Sequence, residues 1–220
     1  MVAKALLASL PDAEKLKKLC RSLAMLDAIV EPEWELRYSS FDSRWGAGEM
    51  LATMRNGGGD EYFVYFNENG AIIKGFDHES EMSPCGEPEE LWKGVTSEVP
   101  DEFLGFLGDA AFPPEDTTFC LWRRNGEGVW KTGEIEYPHG DETADGSDWL
   151  LFLLDGNPGT YLDWAEDYYG RDFNLKLVEK IYRGEALTEE IVKSLNPERR
   201  LKDLTSDADE IGYPIESWKP

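Results

Sequence analysis

The sequence predicts a single α+β domain spanning 1–220: an N-terminal helix, a largely antiparallel sheet of about six to seven strands built from hairpins, and C-terminal helices packed on one face. Three observations predict it. Apolar side chains recur at three- and four-residue spacing over 16–30. Short apolar runs separated by Gly- and Asn-rich turns fill 34–76, and helix-start and helix-stop residues alternate from 157 onward.

The first helix carries Leu16, Leu19, Cys20, Leu23, Met25, Leu26 and Val30 on one stripe. Ser9 and Asp12, around Pro11, supply the start signal, and the EPEW segment at 31–34 ends it. Four strands are expected next, at 34–41, 49–55, 62–66 and 71–76. The last two are joined at Asn69-Gly70, a pair whose tolerance of positive φ suits a tight hairpin turn. NGGGD at 56–60 is glycine-rich but lacks a P-loop lysine and precedes a strand, so it is expected to be a turn.

Residues 77–99 are polar and Pro-rich, without a period, and a short helix is expected over 100–108. A second hairpin, FCLW and VWKTGEI, flanks RRNGEG. WLLFLL at 149–154 is apolar at every position and is expected to be a central strand. DGNP at 155–158 reads as cap chemistry opening a helix that Gly170 stops. NLKLVEKIYRG and TEEIVKSLNP form two further short helices. The acidic tail at 205–220 shows no period, and Tyr213, Ile215 and Trp218 are positioned to dock it on the body.

Forty-five acidic residues against 22 basic ones give a net charge of −23. That balance disfavours nucleic acid, which needs Lys and Arg to displace phosphate counterions, and equally an anionic membrane surface. It suits a basic protein partner, a cationic ligand, or solubility alone. The apolar patch AKALLASL lacks the flanks of a secretory leader, and no run is long enough to span a membrane. Cys20, Cys85 and Cys120 are widely spaced, with no CxxC, so reduced thiols in a cytoplasm are expected.

Two stretches could carry chemistry. GFDHESEMSPC at 75–85 sets His78 between Asp77 and Glu79, with Ser80 and Ser83 behind. A histidine general base needs a carboxylate to orient it and a nucleophile within reach. On extended backbone, however, neighbours point in alternate directions, so Asp77 and Glu79 share a side that His78 does not. No G-x-S-x-G elbow surrounds either serine. DETADGSDWLLF, from Asp141, places Asp141, Thr143, Asp145 and Gly146 as in an EF-hand loop, but its last position is Phe152 where a bidentate Glu belongs. A weak surface cation site from Asp141, Asp145 and Asp148 is the most this loop would offer. His139 with His78 would make a two-histidine metal site only if the fold joined them.

Among the tryptophans, Trp122, Trp130, Trp149 and Trp164 are expected in the core, while Trp45 and Trp92 fall in loops. Residues 77–102 carry nine acids against the single Lys93. An acidic loop with an embedded aromatic suits a basic partner, charge setting encounter and the aromatic setting residence.

GFDHESEMSP, DGSDWLLFLLDGNP and WAEDYYG resemble segments of uncharacterised bacterial stand-alone proteins, over most of the chain. The acidic, Trp-rich α+β profile is similar to immunity proteins that neutralise polymorphic toxins, such as the SUKH superfamily. The matched segments imply a bacterial, cytoplasmic, single-domain protein; with the acidic loops, the profile suggests a binding protein, an immunity-type inhibitor of a basic partner. The binding residues expected are Asp77, His78, Glu79, Ser80, Ser83 and Trp92, with no cofactor and no metal. The competing expectation is a small hydrolase or metal-dependent enzyme centred on His78.

Overall fold

A computed structural model describes residues 2–84 and 90–216. Its centre is one six-stranded antiparallel meander, β1(Ser39–Gly46), β2(Glu49–Arg55), β3(Glu61–Asn67), β4(Gly70–Phe76), β5(Phe119–Arg124) and β6(Lys131–Thr132), in that spatial order. Each strand therefore pairs with its sequence neighbour; short turns impose this on β1 to β4, while β4 and β5 pair across the long 77–118 connection.

Alternation along the strands divides the sheet into two buried faces. Phe41, Ala52, Met54, Val64, Phe66, Ile73 and Leu121 face the larger core. Leu51, Phe63, Tyr65, Ile72, Cys120 and Trp122 face a second, smaller core. β4 is buried at every position and is the true central strand. Its Lys74 points into the second face, where the ammonium donates to the carbonyls of Phe112 (2.9 Å) and Pro113 (2.5 Å).

The larger core is closed by helices. α1(Val2–Ser9) leads into α2(Ala13–Val30), which Asp12 caps by accepting from the Lys15 N–H. α5(Pro158–Tyr169), α6(Leu175–Tyr182), α7(Glu189–Leu195) and α8(Thr205–Ile211) complete the layer. A fully buried Asp27 ties three elements together: its carboxylate accepts from the Ser39 N–H (2.6 Å) and the Tyr161 hydroxyl (3.0 Å).

The second core is covered by α3(Asp101–Leu107) and the irregular chain around it. Met82, Val95, Val99, Phe103, Phe106 and Phe112 are all buried there. Each such side chain contributes about 1.5–3 kcal/mol, enough to hold a polar segment with few backbone ladders of its own. The described parts of the acidic stretch, 77–84 and 90–102, are thus a covering layer and not a free loop.

Several expectations change. WLLFLL is not a strand: α4(Ser147–Leu150) runs into a 3-10 turn at Phe152–Asp155. Leu150, Leu151, Leu153 and Leu154 are buried at helical spacing, and a fully apolar run does not separate buried strand from buried helix. Gly146 (φ 78°) and Gly156 (φ 75°) bracket the segment. Trp149 is accordingly not core but 45% exposed, whereas Trp122 and Trp130 are buried. β1 starts five residues later than expected, at Ser39, because Trp34–Leu36 forms a 3-10 turn after α2. Trp45 consequently lies on β1 and not in a loop. The expected strand over 129–135 shortens to β6. The tail is partly helical and docked: α8 covers 205–211, Tyr213 is buried, and Ile215 bridges Leu187 in parallel. Trp218 and Cys85 lie outside the described residues, while Cys20 and Cys120 are buried free thiols.

Candidate functional site

A meander places alternate turns at opposite ends of the sheet, and each end builds a distinct site. At one end, the 56–60 turn between β2 and β3 lies beside the exit of β4. The β3–β4 register pairs Glu61 with Phe76, so the next position sets Asp60 opposite Asp77. His78 then turns toward Asp60, not toward its sequence neighbours. Its Nδ1 lies 2.7 Å from Asp60 Oδ1, and its backbone N–H donates to the same oxygen at 2.9 Å. Asn56 completes the support: its Nδ2 donates to Asp60 Oδ2 (2.5 Å), while its Oδ1 accepts from the Gly58 and Asp60 N–H groups.

Asp60 is 6% exposed. Burial opposes its charge, but the His78 side-chain and backbone donors and Asn56 outweigh it, so its carboxyl sits below the ordinary value. The same Asp60 hydrogen bond holds the His78 imidazole above its ordinary value.

Asp77 lies beside this pair, one carboxylate oxygen within 4.8 Å of their ligand atoms, and it also organises the 141–149 segment. Its Oδ2 accepts from the Trp149 indole N–H (3.0 Å), and its Oδ1 accepts from the Glu79 N–H (2.9 Å). Its own N–H donates to Thr118 Oγ1, whose hydroxyl donates to the Asp145 carbonyl. Gly146 packs so tightly that a Cβ there would lie 2.3 Å from Asp77 Oδ2. The Ser80 hydroxyl donates to the Ala144 carbonyl (2.5 Å) and accepts from the Met82 N–H.

The structure therefore joins the two stretches singled out in the sequence, GFDHESEMSP and DETADGSDW, through Asp77, Ser80, Thr118 and Gly146. Glu79 is not buried with them; its side chain is 86% exposed, with Oε1 4.0 Å from His78 Nε2. The Ser83 N–H donates to the Ser80 carbonyl in the turn that follows. Trp92 is not in this corner: it packs at the margin of the second core and donates its indole N–H to the Glu136 carbonyl.

Of the EF-hand-like carboxylates, Asp145 is buried while Asp141 and Asp148 are exposed. Asp141 accepts from the Thr143 N–H and hydroxyl, and Asp145, raised by burial, accepts from both donors of Ser147 and from Tyr137. His139 is exposed on a 3-10 turn, with φ 53°. Among the described residues, Asp60, Asp77 and His78 bring ligand atoms within 4.8 Å of one another, and His139 is not with them.

At the opposite end of the sheet, the β1–β2 and β3–β4 turns and α3 enclose a cleft of about 650 Å³. Its carboxylates are Glu49, Glu68, Asp101, Glu102 and Asp109, and no basic residue lines it. Tyr65 stacks on Phe106 beneath it (5.0 Å between centroids, 11° between planes), and Trp45, 41% exposed, forms a wall. Burial, with the nearby Glu49 carboxylate, pushes Tyr65 up to about 12. Among the described residues, Glu102 is the one of the five in a salt bridge, with Arg124 Nε at 2.5 Å. None of this lining except Asp101 and Glu102 belongs to the acidic stretch the sequence singled out.

Among the described residues no helix is long and apolar enough to cross a membrane. No family model, curated protein or solved structure matches the chain.

Proposed function

We propose that this chain is an interaction protein that holds a basic segment of a partner protein in the acidic cleft between the β1–β2 turn, the β3–β4 turn and α3. The carrying observation is the cleft's composition: five carboxylates and three aromatic residues with no basic residue in the lining. Carboxylates attract a Lys or Arg side chain and orient its donors, and an aromatic face binds the cation through its quadrupole. A desolvated guanidinium over Trp gains about 2 kcal/mol on top of the carboxylate contacts. The net charge of −23 extends the attraction beyond the cleft and steers a basic partner to it. The cytoplasmic, immunity-type inhibitor suggested by the sequence profile is one form of this reading.

A capped arginine–glycine hexapeptide, titrated calorimetrically, is the test. Binding should be saturable and weaken as salt rises from about 50 to about 300 mM. Reversing Glu49, Asp101 and Asp109 to Lys should abolish it. A charge-matched reversal of the exposed Asp163, Asp167 and Glu190 should leave it within about two-fold, because those side chains lie on the helical layer. Equal loss in both triple variants would reduce the effect to net charge and end the cleft reading. The hydrolase reading retains one supporting observation, the Asp60–His78 pair, but among the described residues the ring of His78 pairs with Asp60 and Glu79, and neither is a serine or cysteine nucleophile.

A further inference from the structure

The corner at the other end of the sheet stands independently of the cleft. We propose that Asp60, Asp77 and His78 bind a divalent first-row transition-metal ion, with Zn²⁺ as its reference ligand. One imidazole nitrogen and one oxygen from each carboxylate all lie within 4.8 Å of one another. Two ligands of one tetrahedral ion, each bonded at about 2.0–2.2 Å, sit about 3.3–3.6 Å apart. His78 Nδ1 and Asp60 Oδ1 are 2.7 Å apart, so a small opening of this pair lets the ion replace the proton between them.

Both carboxylates are built into the fold before any ion arrives. Asp60 is fixed by Asn56 and the His78 backbone, and Asp77 by Trp149 and Glu79. Such outer donors set ligand orientation and metal affinity. His78 is the adjustable member, 42% exposed at the side chain, and its rotation brings the three atoms onto one centre. An imidazole among the donors selects zinc or its neighbours over Ca²⁺ and Mg²⁺, which take six or more oxygens. Three protein ligands leave positions for water, so affinity is modest. The ion would clamp the 56–60 turn to the β4 exit and, through Asp77–Trp149, to the 144–149 segment.

Calorimetric titration of the full chain with ZnCl₂ near neutral pH should give one site per chain and a higher melting temperature. His78→Ala should remove the site, and Asp60→Asn and Asp77→Asn should each weaken it about ten-fold or more. His139→Ala and Cys85→Ser should leave it in place. His78 is on the surface, so its alanine variant is expected to stay folded, which its own melting curve checks. No heat at about millimolar Zn²⁺ would overturn the proposal. So would binding that survives His78→Ala, binding that disappears in Cys85→Ser, or binding indifferent to both aspartates.

Discussion

Asp27 offers a prediction whose size follows from the structure. Its carboxyl is fully buried beneath α2, and burial pushes it from an ordinary 3.8 up to about 7, although the Ser39 N–H and Tyr161 hydroxyl pull the other way. A shift of roughly three units, at about 1.4 kcal/mol each, amounts to about 4 kcal/mol. Because the folded value is raised, the unfolded chain binds fewer protons between the two values. The contribution is fully present below pH about 4 and is lost as pH rises through about 7. Asp27→Asn keeps the shape and removes the titration; the Tyr161 hydroxyl can rotate to accept from the new amide. Relative to the parent, the variant should gain about 4 kcal/mol between pH about 4 and pH about 8.5. Urea unfolding of both proteins across that range measures it, and the difference cancels the other carboxylates. A difference that stays flat with pH would mean Asp27 is not protonated in the fold, and the reasoning would fail.

Two further outcomes concern the His78 corner. Gly146→Ala places a Cβ 2.3 Å from Asp77 Oδ2 and forces an L residue to φ 78°, so it should cost about 2–5 kcal/mol by urea unfolding. A cost under about 0.5 kcal/mol would show that the corner yields easily. The His78 ring, followed by NMR, should titrate above its ordinary 6.5 and fall back in Asp60→Asn, since the Asp60 hydrogen bond is the leading cause. An unchanged midpoint in that variant would remove Asp60 as the partner. The stability linked to this raised value is present at low pH and lost as pH climbs through it.

The hairpin sheet was legible because its signals are local. Asn69-Gly70 marks the β3–β4 connection, although the turn residues are Glu68 and Asn69 and Gly70 opens β4. The apolar stripe of α2 was equally local. WLLFLL misled because an unbroken apolar run has no period, and its flanking glycines, Gly146 and Gly156, were the better guide. The site was half legible. Asp77, His78 and Ser80 were singled out, but the carboxylate that holds His78 is Asp60, 18 residues away in sequence. Counting outward from Asn69-Gly70 as the turn would set Asp60 opposite Glu79; the actual Glu68–Asn69 turn pairs Asn67 with Gly70, and that register places Asp60 opposite Asp77. The cleft was hidden for a different reason. Its residues come from two turns and a helix, and no single stretch of sequence holds more than a few of them.

The central claim is that a cation enters the acidic, aromatic-walled cleft. Its most direct measurement is the indole N–H spectrum of the ¹⁵N-labelled protein during titration with the arginine–glycine hexapeptide, assigned through Trp45→Phe. The Trp45 signal should shift progressively and saturate, while those of the buried Trp122 and Trp130 stay fixed. A stationary Trp45 signal at saturating peptide, or uniform drift of all the indoles, would contradict it.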